Sequence, residues 1–147
     1  MFAGGEKVSF SAEGGTVEAF SGEIKLPLAP MLLTPAFSAG SSMVVEVMVD
    51  ASQDLELTWD VRDSSQKVGF FSQGGADEPL FVCQFEASAG AGVIPAAVLQ
   101  HVGAGTEFSG AGVNQEKIPL KDGYIAVSGQ FDLVNEARNA TPVFIVQ

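Results

Sequence analysis

The stretch DLELTWD (54–60) decides the fold class. Leu55, Leu57 and Trp59 fall on one face of an extended chain, and acidic or hydroxyl-bearing residues fall on the other. An apolar period of two is typical of a β-strand with one buried face. The stretch therefore predicts a strand whose indole lies inside a core.

The same alternation recurs on both sides of this stretch and predicts about eight to ten short strands. The readable runs are KVSFSA (7–12), GEIKLPL (22–28), SMVVEVMVD (42–50), FVCQFE (81–86), GYIAVSGQFDLV (123–134) and PVFIVQ (142–147). Pro27 lacks a backbone N–H, so its strand is expected to lie at an edge or to end there. KDGY (121–124) predicts a tight hairpin turn, since Asp-Gly tolerates positive φ.

One helix is predicted, at PAAVLQHV (95–102). Pro95 suits the start of a helix, and Gly103 can close it with a positive φ. The segment APMLLTPAF (29–37) is interpreted as an apolar crossing, and the glycine-rich residues 87–94 as a loop. We therefore expect one all-β domain over 1–147, a two-sheet antiparallel β-sandwich, immunoglobulin-like or jelly-roll-like, with one short helical connection. Its core sandwich is expected at 42–147, with extra N-terminal strands in 1–40.

Two stretches resemble a known class of domain. DLELTWDV (54–61) resembles the tryptophan-bearing strand of immunoglobulin-like and fibronectin type III domains. VLQHVGAGTEF (98–108) is similar to the approach to the strand that often carries a corner tyrosine, a position that Phe108 takes here. With FVCQFEASAGAGVIPAAVL (81–99), the pattern is similar to sandwich domains of bacterial secreted proteins and lipoproteins. The resemblance covers about residues 42–134 and implies a location outside the cell or in its envelope.

Composition excludes some classes of partner. The chain has 7 basic and 18 acidic residues among 147, a formal net charge of −11. That charge repels nucleic acid phosphates and anionic membrane surfaces, so no nucleic acid partner is expected. No apolar run approaches the roughly 20 residues that span a bilayer. The first ten residues do not carry a signal-peptide pattern.

The single cysteine and single histidine do not predict a catalytic site. Cys83 alternates with Phe81 and Phe85 on an apolar face, where burial makes a thiol inert. His101 lies at the end of the predicted helix, where a surface position is the ordinary one. One cysteine and one histidine do not supply a zinc site. We expect no enzymatic activity and no cofactor other than a calcium ion.

Calcium is the one metal that the pattern favours. Asp50 and Asp54 bracket a short loop at the start of the tryptophan strand, and carboxylates and loop carbonyls are the ligands that calcium takes. Asp60 and Asp63 would lie at the opposite end of that strand. The predicted metal ligands are therefore Asp50 and Asp54.

The leading functional prediction is a non-catalytic, secreted or cell-surface structural or interaction module. Its partner would be a protein or a surface polysaccharide, met along an edge strand. Phe70 and Phe71 are adjacent, so one of them faces away from the core and can belong to an interaction patch. The alternatives are a carbohydrate-binding or calcium-dependent adhesion module, and a self-assembling shell or appendage subunit. Sugar stacking needs exposed Trp or Tyr, and the sequence has one tryptophan, in an inward register, and one tyrosine, Tyr124, beside a turn, whereas its eleven phenylalanines are interpreted as core.

Overall fold

The computed structural model describes residues 4–37, 43–60, 62–72, 81–135 and 140–147. Within them the chain forms eleven strands, one short α-helix and one 3₁₀ turn. The strands are β1 (Lys7–Ala12), β2 (Phe20–Lys25), β3 (Met31–Thr34), β4 (Val44–Val49), β5 (Leu55–Asp60), β6 (Lys67–Ser72), β7 (Val82–Glu86), β8 (Ala91–Ile94), β9 (Glu107–Leu120), β10 (Gly123–Asp132) and β11 (Thr141–Val146). Helix α1 spans Ala96–Val102, and the 3₁₀ turn spans Ala87–Ala89.

The strands form a large sheet, a small sheet and a separate hairpin. The large sheet has the order β4-β11-β9-β6-β7, with β10 also paired to β9. The small sheet has the order β3-β5-β8, and β1 pairs with β2. The predicted all-β, sandwich-like fold is confirmed. Pairing is antiparallel throughout these sheets except between β4 and β11, which run parallel.

Aromatic rings fill the space between the two sheets. Trp59 of the small sheet lies 5.8 Å from Phe85, centroid to centroid, and Phe85 lies 6.2 Å from Phe70. Phe70 meets Phe144 edge to face at 5.9 Å, and Phe144 stacks on Phe108 at 4.9 Å. Such pairs add about 0.5–1.5 kcal/mol each beyond the area that they bury. The tryptophan strand is thus joined to four rings of the large sheet, as its alternation predicts.

Glycine permits the closest approaches over the inner face of β9. A Cβ at Gly112 would lie 2.6 Å from the carbonyl oxygen of Leu28. The segment that follows β2 can therefore cross the sheet at this point only because residue 112 is a glycine. The buried Gln66 fixes that crossing. Its side-chain oxygen accepts from the N–H of Leu28 at 2.8 Å, and its Nε2 donates to the Leu28 carbonyl at 2.9 Å.

A strand end, a hairpin turn and a helix end lie where the sequence predicts them. Strand β2 ends at Lys25, before Pro27. Leu120 pairs with Gly123 across a two-residue loop, which is the predicted hairpin turn. Gly103 closes α1 with a φ of 87°, and its N–H donates to the carbonyl of Leu99.

Two segments predicted as irregular are strands instead. Residues 31–34, inside the predicted apolar crossing, form β3, and the glycine-rich residues 91–94 form β8. Both pair with β5, one on each side. Strand pairing uses backbone groups, so β5 can pair with segments whose side chains do not alternate between apolar and polar.

The β9–β10 hairpin extends beyond the sandwich as an arm, residues 113–130. One face of the arm is covered by the β1–β2 hairpin: a Cβ at Gly22 would lie 2.9 Å from Ile118, and Asn114 donates to the Lys25 carbonyl at 2.8 Å. The other face of the arm carries the odd-numbered residues of β9 and the even-numbered residues of β10. No strand of the described residues covers that open face.

Candidate functional site

Strand β4 lies at the end of the large sheet, and at Glu46 and Met48 its outer edge is not paired with any strand of the described residues. The carbonyl of Met43 accepts from Thr141 at 2.9 Å, and that of Val49 accepts from Gln147 at 2.8 Å, so odd-numbered residues bond toward β11. Backbone groups alternate in direction along a strand, so those of Glu46 and Met48 point away from β11. No strand in the described part of the chain pairs with that side. The edge therefore presents backbone donors and acceptors to another strand.

Apolar side chains are exposed beside this edge. Val49 is buried, whereas Val44 and Met48 on the outer face of β4 are 53% and 52% exposed, and the preceding Met43 is 79% exposed. Ile145 of β11 lies next to Met48 in register and shares that face. Edge strands usually carry charges or proline that block pairing. The row along β4 has no proline and one charge, that of Glu46, and its exposed apolar side chains suit contact with another protein.

Two acids give this apolar surface a negative charge. Glu46 lies between Val44 and Met48 on the outer face, and Glu107 lies beside Ile145 in register. Neither carboxylate has an ion-pair partner among the described residues. A partner that carries basic side chains between apolar ones would match the row.

Near the opposite edge of the large sheet, the side chains of Phe70 and Phe71 point to opposite faces of β6, as their adjacency predicts. Phe70 is fully buried, and Phe71 is half-buried on the outer face, where its ring lies 3.5 Å from the Cβ position of Gly69. Val82 of β7 pairs with Phe71 and is 56% exposed. The outer face thus has a second, smaller apolar area.

The predicted calcium ligands accept hydrogen bonds from the backbone. Asp50 accepts from the N–H of Ser52 at 2.8 Å, which lowers the pKa of its carboxyl group. Asp54 accepts from the N–H of Ala96 at 2.8 Å, at the start of α1. No group of three or more His, Cys, Asp or Glu side chains among the described residues is placed to hold a metal. Ligation of calcium by Asp50 and Asp54 stays a prediction.

The other two acids considered for calcium form ion pairs. Asp60 pairs with Arg62 at 3.4 Å, and Asp63 pairs with Lys25 at 2.6 Å. The hydrogen bond from Lys25, together with those from Ser65, lowers the pKa of Asp63 to about 2. These contacts tie the loop after β5 to the end of β2.

Cys83 and His101 do not form a catalytic pair. Cys83 lies on β7 and packs against the core, but it is half-buried rather than fully buried as its alternation predicts. Burial raises the pKa of its thiol, which disfavours the nucleophilic thiolate. His101 is exposed in the last turn of α1, and the described residues show no hydrogen bond between the two side chains.

A groove on the open face of the arm was not predicted. Its volume is about 560 Å³, and it runs from β10 over β9 to the start of β6. Side-chain amides line it, those of Gln84, Gln115 and Gln130, and we call it the amide groove. Each amide lies on a different strand, so only the sheet order brings them together. In the sequence, the signal for this groove is the period-two spacing of Ser128 and Gln130, which places both side chains on one face of a strand.

The chain matches no protein-family model, no curated protein and no solved structure. Among the described residues, no helix has both the length and the apolar character that crossing a membrane requires. The function is therefore inferred from the surface chemistry of the chain itself.

Proposed function

We propose that this chain is a non-catalytic, secreted or cell-surface interaction module that binds an extended segment of a partner protein along β4. The observation that carries the proposal is the part of the β4 edge at Glu46 and Met48, whose backbone groups point away from β11 beside exposed apolar side chains and meet no strand of the described residues. In strand addition, backbone hydrogen bonds supply affinity and alternate side chains supply specificity. The location is supported by the resemblance to secreted bacterial sandwich domains.

The negative charge of Glu46 and of the whole chain determines which partner strand fits the edge of β4. Glu46 separates the apolar Val44 and Met48, so a partner that alternates apolar and basic residues places a cation beside the carboxylate. A second copy of the chain would bring another net charge of −11 to the same edge, which opposes self-association. The partner is therefore a basic, extended peptide segment rather than a second copy.

The test uses two labelled peptides, four Val-Lys repeats and four Val-Glu repeats, with fluorescence anisotropy as the readout. We expect the Val-Lys peptide to bind and the Val-Glu peptide not to bind. Met48→Pro should weaken binding at least about tenfold, a loss of about 1.4 kcal/mol, because it removes an N–H that points to the free edge. Val82→Pro places the same residue type on the opposite edge strand and should leave affinity unchanged.

A charge reversal separates strand addition from non-specific attraction. Glu46→Lys should weaken binding of the Val-Lys peptide, whereas Glu56→Lys, an equal charge change on the small sheet, should not. Equal effects of the two substitutions, or full binding by a folded Met48→Pro variant, would overturn the proposal. A concentration-dependent dimer that Met48→Pro abolishes would replace the peptide by a second copy. Circular dichroism establishes that each variant folds.

A further inference from the structure

The amide groove is a polar surface whose side-chain amides and hydroxyl face solvent. The register places Ser128 opposite Gln115 and Gln130 opposite Val113, and Lys67 of β6 lies opposite Val113 on the other side. The amides of Gln115 and Gln130 make no hydrogen bond to any residue that the structure describes. Val113 is 7% exposed and forms an apolar floor between them. The groove therefore combines an apolar floor with polar walls.

The charges in the groove disfavour an anionic ligand. Lys67 pairs with Glu86 at 3.6 Å, and Lys25 pairs with Asp63 at 2.6 Å, so both lining lysines already face a carboxylate. The net charge of −11 adds a long-range repulsion of polyanions. Besides Lys117, whose ammonium group lies over the Tyr124 ring, the groups left to bind a ligand are neutral amides and a hydroxyl.

An amide matches a sugar hydroxyl because both donate and accept hydrogen bonds. A carboxylate or phosphate, in contrast, only accepts. The apolar floor suits the C–H face of a pyranose ring. This combination favours a neutral polymer of sugars over a charged one.

Tyr124 extends the same surface. It lies on the open face of β10 four residues before Ser128, about 13 Å away at the rise of a strand, and it is 60% exposed. The ammonium group of Lys117 lies 4.9 Å from the ring centroid, over one face of the ring. Exposed aromatic rings of this kind present a flat surface on which sugar rings stack. A ligand that reaches both the amide groove and Tyr124 must be a chain rather than a monosaccharide.

We infer that the open face of the β9–β10 arm binds a neutral polysaccharide chain, with Tyr124 at one end and the amide groove at the other. The inference goes beyond the proposed protein interaction, because it concerns a different surface and a different class of ligand. Gln115 and Gln130 bind sugar hydroxyls, Val113 contacts the ring, and Tyr124 stacks on a further ring along the chain.

The test is native gel electrophoresis through gels that contain one soluble polysaccharide each: dextran, soluble starch, galactomannan or xyloglucan as neutral polymers, and alginate or hyaluronate as anionic ones. We expect at least one neutral polymer to retard the full chain. In that polymer, the double variant Gln115→Ala with Gln130→Ala, and separately Tyr124→Ala, should lose at least about nine-tenths of the retardation. Gln100→Ala, an exposed glutamine on α1, is the matched control and should migrate as the wild type does.

The inference is overturned if no neutral polymer retards the chain, if only the anionic polymers do, or if the folded double variant is retarded as strongly as the wild type. All the substituted side chains lie at the surface, so thermal melts should remain within about 2 °C of the wild type. Met48→Pro should be retarded normally. That variant separates this inference from the proposal for β4, since each can fail without the other.

Discussion

The indole N–H of Trp59 donates a 2.9 Å hydrogen bond to the carbonyl oxygen of Ala87, which joins the small sheet to the 3₁₀ turn that follows β7 of the large sheet. Both residues are buried. Trp59→Phe keeps an aromatic ring but removes the donor and part of the volume. We expect it to lower the free energy of unfolding by about 1–3 kcal/mol, from the lost hydrogen bond and a cavity, because the Ala87 carbonyl still accepts from the N–H of Gly90. Guanidinium unfolding followed by circular dichroism measures this, and a loss below about 0.5 kcal/mol would contradict the role assigned to the bond.

Asp54 caps helix α1, and this role makes a different prediction from calcium binding. Asp54→Ala should lower the free energy of unfolding by about 1 kcal/mol, the usual cost of a lost N-terminal cap. If Asp54 serves α1 alone, 1–2 mM calcium, in the range of extracellular calcium sites, leaves the melting temperature of the wild type unchanged. A calcium-dependent rise that Asp50→Ala or Asp54→Ala removes would instead establish the predicted calcium site.

The ion pair between Asp63 and Lys25 should make stability depend on pH at the acidic end. The pKa of Asp63 is lowered to about 2, below the value of about 3.9 for an unfolded aspartate. Its stabilisation is therefore fully present above pH 4 and is lost as the pH falls through 2. Lys25 is half exposed, so solvent screening reduces the effect to about 1 kcal/mol.

Asp63→Asn tests that pH dependence. At pH 7 the variant should be about 1 kcal/mol less stable than the wild type, and the difference should shrink between pH 4 and pH 2. Asp132→Asn, an exposed aspartate on β10, is the control and should track the wild type at every pH. A difference that persists unchanged at pH 2 would mean that Asp63 acts through packing rather than charge.

Period-two alternation predicts the strands that carry one buried face, but not their neighbours. It places Leu57 and Trp59 inward, and the structure agrees at both positions. It misses β3 and β8, because short strands of the small sheet are held mainly by backbone bonds to β5. Local pattern cannot distinguish a glycine-rich strand from a loop when pairing decides between them.

The candidate surfaces depend on pairing between distant parts of the chain. Strand β4 is an edge with its outer face exposed only because β11, at the end of the chain, pairs in parallel with its other side. The amide groove likewise needs β6, β9 and β10 side by side. Alternation shows which side chains of one strand share a face, whereas sheet order decides which faces meet. The apolar row on β4 was therefore readable from the sequence, and its position at an edge was not.

The labelling rate of Cys83 shows whether its thiol is inert or reactive. It lies on the inner face of β7, half-buried, and burial raises the pKa of its thiol, so little thiolate is present at neutral pH. We expect the native chain at pH 7.5 to react with an aromatic disulfide reagent at least about tenfold more slowly than the chain unfolded in guanidinium, since the thiolate is the nucleophile.

A double variant, Val82→Cys with Cys83→Val, gives the matched comparison for Cys83. It moves the thiol by one residue to the outer face, where Val82 is 56% exposed, and should restore rapid labelling without unfolding. Because strand neighbours point to opposite faces, the two chains differ in thiol environment but hardly in sequence. Equal and rapid labelling of both would mean that water reaches the inner face of β7. A reactive thiol there would remove the main support for a non-catalytic function.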